Sequence, residues 1–256
     1  MNDDPGNASF RPGTVLITGG SRGIGAATVR LAAAAGHDVV FTYAARHDAA
    51  EALIDDVRAK GGRAAAVQAD AGDAAAIDAV LDAIPSDFAP LAGLVNNVGI
   101  TGPLGAFLDT TEATMRRVLD VNVLATMLLT QRVVRRWRDE GRPGAIVNVS
   151  SIAATLGAPG EYVHYAASKA AVEGFTVGLA RELAGHGIRV NAVAPGTALT
   201  DIHATAGEPG RPQRVAARIP MRRPGRAEEI AEAVVWLLSA KASYVTGAVL
   251  KVAGGL

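Results

Sequence analysis

Short β-branched and apolar runs alternate with helix-like stretches along the whole chain, and no other feature limits its fold so tightly. Thr14-Val15-Leu16-Ile17-Thr18 is the first such run, read as a strand buried on both faces. Further strand candidates are residues 39–43, 64–68, 93–96, 145–149, 189–193 and 248–252. Helical patterns fall between them at 25–35, 48–60, 73–84, 111–138, 165–184 and 227–239. Alternation of this kind implies right-handed crossovers and an α/β fold. Its expected form is one doubly wound parallel sheet of about seven strands with helices on both faces. Ligands of such sheets bind outside the carboxyl ends of the strands, where the strand order reverses.

At 256 residues, 49% hydrophobic and 20% charged, the chain can bury one large core. No linker or repeat divides it. Residues 14–256 are expected as one catalytic domain and residues 1–13 as a flexible tail. Lys and Arg together number 25, and so do Asp and Glu, so no global field calls for nucleic acid or membrane as a partner. The basic run Arg132, Arg135, Arg136, Arg138 and Arg142 has only Trp137 among it and reads as a solvated helix end. There is no cysteine, which excludes disulfides and thiolate catalysis. His37, His47, His164, His186 and His203 have no metal-ligand spacing and are expected mostly at the surface, with His203 reaching substrate. No metal site is expected. Residues 1–13 lack the basic start and apolar run of a signal peptide, and no apolar run reaches the ~18 residues of a membrane span. A cytoplasmic protein is expected, so the glycosylation triplets at Asn7 and Asn148 are read as chance matches.

Chemistry-bearing residues cluster at or just beyond the predicted strand ends. After the first strand comes Gly19-Gly20-Ser21-Arg22-Gly23-Ile24-Gly25. Small residues let the backbone approach a pyrophosphate, and a helix opening near Gly23 offers free N–H groups and a positive dipole end. Nucleotide folds that prefer NAD place an acid against the ribose 2′-hydroxyl at the end of the second strand. Here Tyr43 stands there and the nearest carboxylate is Asp48. Without that repulsion, Arg22 and Arg46 are candidates to bind a 2′-phosphate by charge-assisted hydrogen bonds; a solvated Arg46 is the equal alternative. Farther on, Tyr165 and Lys169 are spaced to share one helical face. An ammonium beside a phenol favours the phenolate, and lowering its pKa by ~3 units takes roughly 4 kcal/mol. The product is a general acid/base for an alcohol oxygen.

The ordered set of the glycine turn, Asn96-Asn97-Val98-Gly99, Asn122, Ser150-Ser151, Tyr165, Lys169 and Pro195-Gly196 resembles the short-chain dehydrogenase/reductase family. The likeness covers residues 14–255. It implies a Rossmann-like fold and an oxidoreductase interconverting a carbonyl and a secondary alcohol by hydride transfer. By the same resemblance Ser151 holds the substrate oxygen and Tyr165 moves the proton. Lys169 lowers the tyrosine's pKa and binds the nicotinamide ribose, while Asn122, mid-helix, holds a water leading from Lys169 to solvent. Asp70, followed by Ala71, looks like the family's adenine-binding aspartate, and Asn97 and Gly99 fall on the adenosine-ribose wall. Val98 departs from the family's usual Ala. Pro195, Gly196, Ala198 and Thr200 belong to the loop covering the nicotinamide. The Ser21-Arg22-Gly23-Ile24-Gly25 form of the turn is similar to that of NADP-preferring members, so NADP(H) is favoured, with NAD(H) possible.

The whole-chain pattern is similar both to 3-oxoacyl-carrier-protein reductases and to sugar dehydrogenases, so the small-molecule or acyl-chain substrate stays open. Rival readings are an NAD-dependent sugar or polyol dehydrogenase and a non-catalytic nucleotide-sensing protein of the same fold. Residues 197–218, with Gly207, Pro209, Gly210 and Pro212, are expected to form a mobile substrate lid. Ala166, Ala167, Ala170, Ala171, Gly174 and Gly178 allow close helix approach, and Val118, Val121, Leu124 and Leu128 make an apolar stripe. With the family's habit of pairing these helices, a homotetramer is expected.

Overall fold

In a computed structural model the structure describes residues 12–256, leaving out the side chains of residues 74, 75, 77 and 78. Most of the expected tail therefore lies outside the described residues. The chain runs β1 (Thr14–Ile17), α1 (Gly23–Ala34), β2 (Asp38–Tyr43), α2 (His47–Ala59), β3 (Arg63–Gln68), α3 (Ala74–Asp82) and β4 (Leu91–Asn96). It continues with α4 (Glu112–Leu119), α5 (Ala125–Asp139), β5 (Gly144–Val149), α6 (Ala153–Leu156) and α7 (Val163–Leu183). β6 (Ile188–Pro195), α8 (Ile202–Thr205), α9 (Arg211–Val215), α10 (Ala227–Leu238) and β7 (Val249–Val252) complete it. None of the helices is long and apolar enough to cross a membrane among the described residues.

The strands form one parallel seven-stranded sheet in the order β3-β2-β1-β4-β5-β6-β7. The order reverses between β1 and β4, which opens the ligand crevice beyond their carboxyl ends. β1 and β5 are buried at every residue, as an unbroken apolar run in a covered sheet must be. Alternate side chains serve opposite faces. Val15 and Ile17 pack with Val29 of α1 and with Ile230, Val234 and Leu237 of α10. Leu16 packs on the other side with Leu129, Val133 and Trp137 of α5 and Leu183 of α7. Trp137 is fully buried and donates its indole N–H to Leu91 O at 2.8 Å, so the expected solvated helix end has one face in the core.

Polar links cross this core. Asn96 Nδ2 donates to Thr130 Oγ1 at 2.9 Å and to Asn148 Oδ1 at 2.8 Å, and Asn148 Nδ2 donates to Thr176 Oγ1 at 2.9 Å. The row joins α5, β4, β5 and α7 through both amide nitrogens and helps to fix register. Asn148 is completely buried, which closes its glycosylation triplet in the folded chain.

One predicted helix is broken. Residues 111–138 form α4 and α5 joined through a π-helical stretch, Asp120–Leu124, in which the Ala125 N–H bonds to Asp120 O. Thr111 caps its start by accepting from the Thr114 N–H. A π turn inserts one extra residue into the helical ladder and is common at functional sites. Here it carries Asn122.

Candidate functional site

The glycine turn is built by its neighbours. Gly19 and Gly23 hold positive φ, 64° and 52°. A Cβ on Gly25 would lie 2.2 Å from Gly19 O and 2.7 Å from Asn97 Nδ2. Thr42 Oγ1 accepts from the Gly19 N–H at 3.1 Å, and Asn97 Nδ2 donates to Thr18 O at 2.9 Å and Gly19 O at 3.1 Å. Asn97 is thus a splint for the turn as well as part of the wall. No side chain caps α1, so the first-turn N–H groups of Gly23, Ile24 and Gly25 have no intrahelical partner. Glycines whose Cβ space is taken, beside an uncapped dipole end, fit a nucleotide pyrophosphate.

A cavity of about 740 Å³ runs from this turn to the substrate end. It is lined by Gly19, Ser21, Arg22, Gly23, Ile24, Gly25, Tyr43, Asp70, Ala71, Asn97 and Gly99, and farther in by Ser151, Tyr165, Lys169, Pro195, Gly196, Ala198 and Thr200. Tyr43 is buried, and its hydroxyl hydrogen-bonds His47 Nδ1 at 2.8 Å. Among the described residues no carboxylate lines the β2 end. Asp70 is engaged: it accepts from the Gly72 N–H, and Arg117 Nη2 donates to both of its oxygens at 2.9 Å, and these hold its carboxyl below the usual range despite partial burial. Two of the sequence candidates are not on the wall. Arg46 pairs with Asp48 at 3.1 Å on the surface, since its own helix supplies a carboxylate closer than the cavity does. Asn122 lies behind the wall.

At the chemical end, Ser151 follows β5, while Tyr165 and Lys169 stand one turn apart on α7. Both α7 side chains are buried. Lys169 Nζ donates to Val149 O at 2.7 Å and lies 5.8 Å from the Tyr165 ring centroid. Burial draws Lys169 down to about 8. Burial also pushes the Tyr165 phenol up to about 12, against a lowering hydrogen bond from Ser151 and a lowering charge from Arg211. The expected lowering rests on Lys169 together with a cationic nicotinamide; in the chain by itself burial outweighs the lowering groups, and the Lys169 ammonium donates to the Val149 carbonyl.

Asn122 is buried and tied to two other segments. Its Oδ1 accepts from the Ile100 N–H at 2.9 Å, and its Nδ2 donates to Ile100 O and to Ser168 Oγ, each at 2.9 Å. Ser168 Oγ in turn donates to Tyr165 O at 2.7 Å. The amide holds the loop after β4 against the catalytic helix.

The segment after β6 folds over the cavity. Gly196 N–H donates to Val252 O at 2.9 Å, and a Cβ there would meet Ala253. Thr200 sits over the first turn, 3.2 Å from where a Gly23 Cβ would be. His37, His164 and His203 are buried rather than exposed. Each bonds a backbone carbonyl: Gly13 O at 2.9 Å, Thr101 O at 2.7 Å and Ala198 O at 2.9 Å. The sequence reading missed Glu161, Tyr162 and Arg211 near the catalytic helix, and Arg117 beside Asp70, on the cavity wall. No local motif marks them, because their partners are 47 to 50 residues away.

A family model described as enoyl-(acyl carrier protein) reductase matches residues 19–256. The chain is 48% identical over 242 residues to an uncharacterised oxidoreductase of Escherichia coli K12, YgfF, covering 94% of this chain and 98% of that protein. It is 37% identical to the 3-oxoacyl-[acyl-carrier-protein] reductase FabG of Staphylococcus aureus, covering 95% of this chain and 97% of that one. Among solved structures it is similar to a blue fluorescent protein from a metagenomic library in complex with NADPH, with a TM-score of 0.86 and 36% identity, covering 95% of this chain and 97% of that chain.

Proposed function

The chain belongs to the short-chain dehydrogenase/reductase family of NAD(P)-dependent oxidoreductases acting on CH–OH groups, and on that footing we propose that it interconverts a carbonyl and a secondary alcohol with NADP(H), using Tyr165 as acid/base. The observation that carries this reading is the group of half-buried Ser151 and buried Tyr165 and Lys169 on the wall of the cavity that begins at the glycine turn.

A nicotinamide nucleotide would be held by the glycine turn, Tyr165, Lys169 and the Pro195–Thr200 loop, and would supply or take the hydride. Ser151 holds and polarises the substrate oxygen through its hydroxyl. Tyr165 gives its proton to that oxygen in reduction and removes it in oxidation. A phenol pushed up to about 12 is a competent proton donor at neutral pH. Acting as a base, it needs cationic help. Lys169 keeps a cation within reach of the ribose and of the phenol, and Asn122 holds the catalytic helix by way of Ser168. Residues 14–256 act as the catalytic domain, with 197–218 as the lid.

NADP(H) is preferred on three supports. Among the described residues no carboxylate lines the β2 end and Arg22 lines the cavity with no ion pair, and a structural neighbour carries NADPH. Arg46 joins only if its Asp48 pair opens. For the assembly as a homotetramer, Ala167, Ala170, Ala171, Gly174 and Gly178 form an exposed small-residue stripe on α7. A Cβ at Gly174 or Gly178 would meet nothing within 4 Å. Leu119 and Leu124 are exposed beside it, whereas Val118 and Val121 are spent inside.

The test is NADPH oxidation with a panel of ketones, with Tyr165→Phe beside the wild type. Turnover should vanish in the variant while NADPH affinity stays close to normal. A variant that still turns over at the wild-type rate removes the assignment.

A further inference from the structure

Besides Lys169, a second cation, Arg211, stands near the catalytic tyrosine, on a segment 46 positions later in the chain. Arg211 opens α9, and its side chain is only 11% exposed. Its Nε and Nη2 both donate to Glu161 Oε2, at 3.1 and 2.5 Å. Arg214, nearly one turn later, donates to Glu161 Oε1 at 2.9 Å and binds Glu208 through Nε and Nη2. The Arg211 guanidinium lies 5.3 Å from the centroid of the Tyr162 ring. Tyr162 meets Tyr165 edge-on, with ring centroids 5.2 Å apart and planes at 85°. Main-chain bonds close the same seam: Gly105 N–H to Glu161 O at 2.9 Å, and Leu104 N–H to Ala206 O at 3.0 Å. The 197–218 segment is thereby latched to the turn that leads straight into the catalytic helix.

We propose that Arg211 is a positioning residue of the reaction: latched to Glu161 and stacked on Tyr162, it tunes the proton affinity of Tyr165, so acid/base readiness is coupled to closure of the lid. The inference rests on the reading of Tyr165 as the acid/base.

A cation near a buried phenol favours the phenolate, and the low dielectric of a closed site strengthens the effect. The charged and titratable groups facing this region are Lys169 on α7, Glu161 before it, His203 on α8, and Glu208 and Arg214 beside Arg211. Lys169 is committed to Val149 O. His203 is bonded to Ala198 O, and burial lowers its pKa, so it stays neutral. Arg214 is matched by Glu208. That leaves Glu161 as the group that offsets the Arg211 charge. Asp201 and Arg218 line the same cavity and are common to every variant compared below.

Breaking the latch from its two sides separates charge from mere closure. Arg211→Gln removes the cation, and Glu161→Gln removes the charge that offsets it, yet both loosen the lid. The readout is kcat/KM against pH in the oxidation direction, for the NADP-loaded enzyme and the best alcohol. The activity limb set by loss of the Tyr165 proton should move to higher pH in Arg211→Gln and to lower pH in Glu161→Gln. Each shift should be about 0.5 pH unit, on the order expected of one charge seen across one ring. Arg211→Lys, which keeps the charge, should keep the wild-type limb while KM rises. Limbs that stay fixed, or move the same way in both Gln variants, overturn the proposal and leave a structural latch only. Tyr165→Phe separates the two levels: a live Phe variant removes the acid/base reading and this inference with it. A dead Phe variant beside unmoved limbs removes this inference alone.

Discussion

Replacing Asn122 by Ala tests whether that residue is a splint or a water holder. Its amide makes three hydrogen bonds, one accepted from the Ile100 N–H and two donated, to Ile100 O and Ser168 Oγ. Asn122 is 1% exposed and Ser168 fully buried, so solvent does not readily replace these partners. At about 1 kcal/mol net for each bond, the loss is about 3 kcal/mol, and more where a buried group is left orphaned. For a chain of this size that corresponds to a midpoint about 6–12 °C lower. Urea unfolding followed by circular dichroism is the assay, run at one protein concentration because assembly adds apparent stability. Asn122→Ala should lower the unfolding free energy by about 3 kcal/mol with the denaturant slope unchanged. Turnover should fall with it, because Ser168 no longer ties the loop to the Tyr165 carbonyl. A variant within about 0.5 kcal/mol of wild type that has nonetheless lost turnover would refute the splint argument and restore the water role.

The Lys169 ammonium is disfavoured by burial, with a folded value of about 8 against 10.5 in the unfolded chain. Between those values the unfolded chain binds more protons, so this group makes stability rise with pH. Tyr165, raised to about 12 from 10.0, opposes that only above pH 10. Unfolding free energies of wild type minus Lys169→Met should therefore grow from pH 8 to pH 10, by up to about 3 kcal/mol. A flat difference across that window sinks the argument. NADPH should bind at least tenfold tighter than NADH, or ~1.4 kcal/mol; calorimetric titration of both nucleotides decides it, and equal or reversed affinities defeat the charge reasoning. Light scattering at micromolar concentration should give a tetramer, while a particle of 26.1 kDa rules the assembly out and leaves the catalytic reading untouched.

Local chemistry wrote the layers of this protein into its sequence. Apolar β-branched runs had to be covered strands, periodic stretches had to be their helices, and their alternation left a parallel sheet as the outcome. The strand and helix edges moved by only a few residues: β6 runs on to Pro195, and α7 begins at Val163 rather than at Tyr165. The glycine turn was legible because backbone freedom is a property of single residues. Tyr165 and Lys169 were legible as a pair because four residues make one helical turn. Tertiary structure alone decided what those side chains meet. Whether Asn122 faces water or the Ile100 backbone depends on a loop 22 residues earlier, and the π turn has no marker in composition. Arg46 reads as a phosphate ligand until Asp48 is seen to hold it. Three histidines that look like surface residues are buried because carbonyls from other segments accept their ring nitrogens. The Arg211–Glu161 latch joins positions 50 residues apart. Contacts at that separation depend on how the elements pack, and periodicity along one element cannot encode them. For the same physical reason the proton affinity of Tyr165, a sum of burial and distant charge, belongs to the folded chain and not to its motif.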